Sequence, residues 1–240
     1  MIHLICPSRG RPDLAKRMWE SAQAMAVSPD KLNLHLGIHD YESSEYKTTI
    51  RPSTLKHNVA YYHVKDWSTV FTTNTITAYL MKDANAKLFM VACDDTIFST
   101  QGWDKALIEH YNALEYKAHV YALQDSRSAD GTPHPIVTRE YIRAMGYLFT
   151  PIFLHWFVDT WLADIAKANN CFTHLNDYLL VHDKPSDKGL ADDTHIRIRE
   201  RGWPERDTFT NEKCGHFLDE EKARLGRYLQ WQSGAREHLD

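Results

Sequence analysis

Three apolar runs in this 240-residue chain each stop at side chains capable of chemistry. Ile2–Cys6 breaks at Pro7-Ser8-Arg9-Gly10-Arg11-Pro12. Leu32–His39 ends at Asp40, with Glu42 just beyond, and Lys87–Cys93 runs straight into Asp94-Asp95. If these runs are parallel strands, ligands bind beyond their carboxyl ends, and the three groups meet on one edge of a sheet. Two arginines and a hydroxyl suit the phosphates of a nucleotide diphosphate, and an isolated acid suits ribose or base. Adjacent carboxylates suit a hard divalent cation. Plainer readings stand beside these. Arg9 and Arg11 also fit a solvated turn, and Asp94-Asp95 fit a helix N-terminus ahead of Thr96 and Ser99. Yet an apolar strand ending on two acids is costly unless a metal or hydrogen-bond donors meet them.

A fourth candidate is Asp159, in the apolar stretch FLHWFVDTW. Desolvation there raises a carboxyl pKa toward the range of a general base. Read as a helix over Phe153–Asn169, the stretch puts His155 four residues earlier on the same face, within hydrogen-bond reach of Asp159. The same pair also fits a polar staple between helix and core. Arg197, Arg199, Arg201 and Arg206 fit a phosphate-facing strip less well than a solvated helix. Acids interleave them, and residues 183–240 hold 11 basic against 13 acidic groups.

Positioning these groups requires alternating elements. The patterns predict strands at Ile2–Cys6, Leu32–His39, Asn58–Val64 and Lys87–Cys93, with helices at Asp13–Met25, Ser68–Lys82 and Gly102–Tyr111 between them. This is a βαβ rhythm and implies a mainly parallel sheet. The second half reads as a strand at His119–Leu123, a polar loop at Gln124–Pro135, a short helix at Thr138–Met145 and the helix at Phe153–Asn169. Next come a strand at Phe172–Val181, a loop at Asp183–Asp193 and helices at Thr194–Gly202 and Asn211–Trp231. The expectation is one α/β domain, a central sheet flanked by helices, with residues 1–210 as its body and 211–240 as a C-terminal helical extension.

Composition narrows the classes. The chain is 43% hydrophobic and 25% charged, with only 10 Gly and 9 Pro, which excludes collagen-like and largely disordered readings. A net charge of −4 excludes a polycation that grips nucleic acid by bulk charge. The counts of 14 His, 7 Trp, 12 Tyr and 9 Phe supply groups for proton transfer, metal binding and ring stacking. Cys6, Cys93, Cys171 and Cys214 are too scattered for a zinc knuckle or redox dithiol. The apolar stretch Met145–Ala163 is broken by Pro151, His155 and Asp159 and falls short of a membrane span; the expected location is cytoplasmic, with no membrane partner. No P-loop, dinucleotide-binding, nucleophile-elbow or zincin motif is present.

Together these segments are similar to the GT-A glycosyltransferases, and more narrowly to the family-2-like glycosyltransferases encoded by bacteriophages. The likeness rests on P-S-R-G-R-P after the first strand, Asp at the end of the second, and V-A-C-D-D-T-I-F-S-T-Q-G-W-D at 91–104. It continues in H-P-I-V-T-R-E at 134–140, G-Y-L-F-T-P-I-F-L-H-W-F-V-D at 146–159, L-L-V-H at 179–182 and A-D-D-T-H at 191–195. The resemblance implies a nucleotide-sugar donor, UDP-based, whose diphosphate is bridged by Mn²⁺ or Mg²⁺. It implies that Pro7, Ser8 and Arg9, with Arg11 beside them, line the nucleotide, and that Asp40 contacts uracil or ribose. Asp94 would hold sugar or ribose hydroxyls, Asp95 and His182 would ligate the metal, and Asp159 would act as base in an inverting displacement. Lys188 lies in a loop able to close over the diphosphate. The usual motif is Asp-x-Asp, whereas Cys93-Asp94-Asp95 stands here, which leaves open which acid meets the metal. The resemblance also implies a hydroxyl acceptor, either a hydroxymethylated pyrimidine such as 5-hydroxymethylcytosine in phage DNA or a surface glycan. Aromatic residues in Tyr147–Trp161 and the segment Thr132–Pro135 flank the acceptor side. With no membrane-anchoring segment, DNA is the expected acceptor. A metal-dependent phosphoesterase or nucleotidyltransferase, and a non-catalytic sugar- or nucleic-acid-binding module, are the competing classes.

Overall fold

Ile2–Pro7 (β1) and Leu32–Ile38 (β2) are buried at every position, as expected of parallel strands covered on both faces. They pair with one another in the computed structural model, which describes residues 1–50, 59–64, 68–115, 117–128, 132–184 and 193–237. Val59–His63 (β3) and Leu88–Val91 (β4) extend the sheet on either side, also in parallel. Beyond β4 come Thr96–Phe98 (β5), Val120–Asp125 (β6), Ile136–Thr138 (β7) and Phe172–His182 (β8). The eight strands lie in the order β3-β2-β1-β4-β7-β6-β8-β5. β6 and β8 are parallel, while β7 against β4 and β6, and β5 against β8, are antiparallel.

Helices cover both faces. Pro12–Ala24 (α1) and Trp103–Ala113 (α4), with Tyr46 of the short Ser43–Thr49 (α2), pack one core with Met18, Trp19, Trp103 and Leu107. Thr69–Leu80 (α3), Arg139–Met145 (α5) and Val158–Ala168 (α6) pack the other. α3 is rich in threonine, a poor helix former. Ser68 caps it by accepting from Phe71 N, and the Thr77 hydroxyl returns to the Thr73 carbonyl at 2.7 Å, so this polar group can be buried. α3 approaches β2 so closely that a Cβ on Gly37 would stand 2.2 Å from Thr72 Cγ2. Asp193–Glu200 (α7), Trp203–Lys213 (α8) and Gly215–Glu237 (α9) complete the chain, and α9 packs on α5 and α6 with Leu225 fully buried.

The alternating first half follows the predicted pattern. Three differences matter for the site. β5 and β7, three residues each, are too short for periodicity to reveal, and they make the sheet mixed. The helix expected from Phe153 starts only at Val158, because the backbone before it is bound elsewhere, as described below. Finally, α8 fills a stretch between two predicted helices: Gly202 turns left-handed at φ +64° and Pro204 opens the new helix.

Candidate active site

At the carboxyl end of β1 the chain turns against the end of β4, and Asp94 is the hub of that contact. Asp94 is fully buried, and Ser8, also fully buried, donates to its Oδ2 at 2.6 Å. Arg11 meets both carboxylate oxygens, Nε to Oδ2 at 3.1 Å and Nη2 to Oδ1 at 2.9 Å, the two-pronged geometry that only a guanidinium supplies. Tyr46 of α2 braces the arrangement by hydrogen-bonding Ser8 Oγ at 2.7 Å and accepting from Arg11 N at 3.1 Å.

Asp95, one residue on, lies 4.0 Å from Arg11 Nη1 through Oδ2 and turns Oδ1 toward β8. β5 runs antiparallel to β8 with Thr96 opposite His182, and Asp183 N donates to the Asp95 carbonyl at 2.7 Å. His182 Nε2 therefore lies 3.4 Å from Asp95 Oδ1, and its Nδ1 lies 3.4 Å from Asp125 Oδ2 at the end of β6. The register of β6 against β8 skips from Leu123–Leu175 to Gln124–Leu179, which brings Asp125 opposite Leu180, next to His182. His134, on the loop leading into β7, places Nε2 3.5 Å from the same Asp125 oxygen and 3.0 Å from Thr96 Oγ1. Asp125, His134 and His182 converge closely enough to share one cation, with Asp95 on the far side of His182. On the opposite flank, Arg17 of α1 pins Asp183 at 2.7 Å.

The electrostatics of this cluster call for a positive charge. Burial alone would raise Asp95 and Asp125, but the neighbouring imidazoles overcome it and hold both carboxyls below their ordinary range. Burial would lower His182, yet Asp125 and Asp95 on its two sides carry it up to about 9. Asp95 Oδ1, Asp125 Oδ2 and His134 Nδ1 are buried without a hydrogen-bond partner among the described residues. Their contacts of 3.4–3.5 Å are long for hydrogen bonds. They match the roughly 3.0–3.5 Å that separates ligand atoms each about 2.1 Å from one ion. Asp125, His134 and His182 form a mixed oxygen and nitrogen set, which Mn²⁺ accepts more readily than Mg²⁺.

Beside the cluster opens a cavity of about 320 Å³ whose lining includes Cys93, His155, Phe157, Asp159 and Lys184. Asp159 stands in the first turn of α6. Burial raises its carboxyl, while the N–H groups of Thr160 and of Asp159 itself pull the other way. Its carbonyl accepts from Thr132 Oγ1 at 2.9 Å. Residues 154–156 precede the helix as a loop because their N–H groups are taken by Asp207 of α8. Leu154, His155 and Trp156 donate to its carboxylate at 2.9, 2.8 and 2.8 Å. Phe157 then enters the helix with φ +67°, strained for a residue with a side chain.

The structure brings Ser8, Arg11, Asp94, Asp95 and His182 together at one sheet edge. It adds Asp159 and His155 in the adjoining cavity, with Pro7 at the end of β1. His155 is not on the helical face expected for it; its Nδ1 pairs with Thr69 Oγ1 at the start of α3. Arg9 reaches Tyr41 at 3.0 Å, and Asp40, half-exposed, pairs with His63 at 3.0 Å, so both sit toward β2 and β3. Lys188 lies outside the described residues. Asp125 and His134 are the members that sequence reasoning missed. Asp125 follows the same rule as Asp94 and Asp95, an apolar strand ending on an acid, but Gln124 made the run look like a loop. His134 reads in the sequence as part of the segment flanking the acceptor side, and nothing in its local sequence marks it as a candidate ligand.

No known protein family and no curated protein matches the chain. Solved structures do. S. aureus TarS superposes over 78% of this chain with a TM-score of 0.55 at 12% identity, and the match spans 37% of TarS. Its 1–349 portion in complex with UDP-GlcNAc gives 0.57 at 11% identity, over 76% of this chain and 59% of that one. The mannosyltransferase PcManGT from Pyrobaculum calidifontis, in complex with GDP-Man and Mn²⁺, gives 0.56 at 11% identity, over 100% and 75%. A Bacillus anthracis protein described as a glucose-1-phosphate thymidylyltransferase gives 0.52 at 9%, over 73% and 87%. The α/β architecture of this chain, its eight-stranded sheet flanked by helices, is the GT-A-like fold of these glycosyltransferases.

Proposed function

We propose that the protein is a metal-dependent glycosyltransferase that moves a sugar from a nucleotide-sugar, a UDP-sugar first among donors, to a hydroxyl acceptor. The observation that carries this reading is the buried acid–imidazole cluster of Asp95, Asp125, His134 and His182 at the carboxyl edge of the sheet, beside a cavity containing a desolvated carboxyl. Asp95 and His182, with Asp125 and His134, would hold the ion. When bound, Mn²⁺ or Mg²⁺ neutralises the charge that develops on a departing diphosphate.

The protein's own groups do the rest. Ser8 and Arg11 fix Asp94, so that its carboxylate keeps one orientation toward the hydroxyls of the donor. Pro7, Arg9 and Asp40 line the nucleoside side, and Lys184 the phosphate side. Asp159 takes the proton from the acceptor hydroxyl, and attack from the face opposite the diphosphate inverts the anomeric centre. His155 orients the wall around it.

The test is calorimetric titration of UDP with and without Mn²⁺, then a panel of UDP-sugars and GDP-mannose with mass detection of transfer. Metal-dependent UDP binding lost in Asp95→Ala is the expected result. UDP binding that ignores both the metal and this substitution would sink the metal assignment. The likeness to the thymidylyltransferase-type structure makes nucleotidyl transfer the competing reading; release of pyrophosphate from a nucleoside triphosphate and a sugar phosphate would establish it instead. For the acceptor, the two classes raised by the sequence are 5-hydroxymethylcytosine in DNA and a glycan.

A further inference from the structure

A second groove, of about 530 Å³, adjoins the cavity that contains Asp159. Its walls are Trp156 from the loop before α6, Arg199 of α7, and Pro204, Thr208, Phe209 and Glu212 of α8. Trp156 lines both spaces, so a ligand seated in the groove lies beside the cavity that contains Asp159. Two large aromatic side chains are left in water here, Trp156 at 38% and Phe209 at 62% exposure. Concave surfaces with exposed rings mark binding sites more often than singly scattered residues do.

We propose that this groove is the acceptor subsite and that its occupant is a carbohydrate. The proposal rests on the glycosyltransferase reading above and names the substrate class for that same site. A pyranose presents an apolar face of C–H groups that lies flat on an aromatic ring, while its rim of hydroxyls both donates and accepts. Trp156 and Phe209 offer the faces; Arg199 supplies donors, Glu212 acceptors and Thr208 both. A nucleic acid would require a run of cations along its phosphates. Residues 193–213, which supply most of the groove, contain five basic and five acidic side chains, and the groove wall itself pairs one Arg with one Glu. That balance fits an uncharged ligand.

The groove is also built rather than incidental. Asp207, immediately before the groove-lining Thr208 and Phe209 on α8, is fully buried and accepts the N–H groups of Leu154, His155 and Trp156. The carboxylate on one wall thus fixes the backbone of the other. Glu221 of α9 adds a second tie, accepting from Thr150 at 2.9 Å, from Trp161 Nε1 at 2.6 Å and from Tyr147. The C-terminal helices therefore hold the loop that separates donor side from acceptor side. A preorganised wall reduces the entropy lost on binding.

The experiment uses the full chain and saturation-transfer NMR with calorimetry. The probes are soluble gluco-, manno- and N-acetylglucosamine oligosaccharides, and single-stranded DNA containing 5-hydroxymethylcytosine. The expected result is that at least one oligosaccharide binds. Its affinity falls at least tenfold in both Trp156→Ala and Phe209→Ala, with each variant's Tm within a few degrees of the parent. Three results would overturn the proposal: no oligosaccharide bound, oligosaccharide binding indifferent to both substitutions, or modified DNA bound in their place and lost with them. UDP titration of the parent protein with Mn²⁺ reports separately on the donor reading, so a failure there is distinguishable from a failure of the groove.

Discussion

Asp94 and Asp95 are adjacent in the chain and share Arg11, yet their main partners differ, and the difference separates the roles proposed for them. Both oxygens of Asp94 are held by Ser8 and Arg11, whereas Asp95 meets His182 across a strand pairing. The vicinal acids were readable as a strand running into charge. Their division of labour was not, because it depends on β5 turning back against β8. Asp125 and His134 escaped for the related reason that a ligand set spread over residues 95–182 is assembled by pairing rather than by spacing. At this scale Asp125→Asn should weaken Mn²⁺ binding by about 10–100-fold, the range for altering a group that supports a metal site. Titration followed by the electron paramagnetic resonance of free Mn²⁺ measures it, and an unchanged affinity would remove Asp125 from the set. Asp159→Asn should lower the transfer rate by about 10²–10⁴-fold, read from single-turnover kinetics. A normal rate would return Asp159 and His155 to the plain role of joining helix to core.

Among elements, the parallel half of the sheet and its helices were legible because buried strands are continuous apolar runs and amphipathic helices repeat. Three-residue strands leave no such trace, and the late start of α6 was hidden because its cause, Asp207, lies about fifty residues away in another helix. Gly37 is a similar case. Its Cα lies against Thr72 of α3, a contact invisible in a β2 sequence that reads simply as alternating. Gly37→Ala should force α3 outward and destabilise the fold by about 1–3 kcal/mol, the usual cost of overpacking a well-filled interior. A urea midpoint equal to the parent's would mean that the helix yields without strain. Since α3 also carries Thr69, the partner of His155, any such shift should register in acceptor turnover as well.

For the molecule as a whole, several histidines are neutral cargo rather than chemistry. Burial lowers His3 to about 4, with the neighbouring N-terminal charge adding to it, lowers His35 to about 3, and lowers His119 to about 4. All three start from 6.5 in the unfolded chain, so that chain takes up protons first as pH falls. Their stabilisation is complete above about pH 6.5 and declines as pH drops toward 4. His182 runs the other way in the metal-free protein: raised to about 9, it stabilises below 6.5 and its contribution is lost as pH rises through 9. Three groups against one predict a metal-free protein that unfolds in less urea at pH 5 than at pH 7; a flat profile over that interval would contradict the burial argument. The order of the strands has a further consequence, for biosynthesis. Among the described residues β8 is the last strand to leave the ribosome, yet it sits between β6 and β5, and β5 pairs with β8 alone. Until β8 emerges, β5 has no strand partner among the described residues, β6 presents an open edge, and Asp95 and Asp125 lack the imidazole between them. Insertion of a late strand between two waiting ones is a long-range closure and therefore slow. A chain interrupted before residue 172 holds six paired strands, and none of the pairing that brings His182 between Asp95 and Asp125 at the candidate metal site.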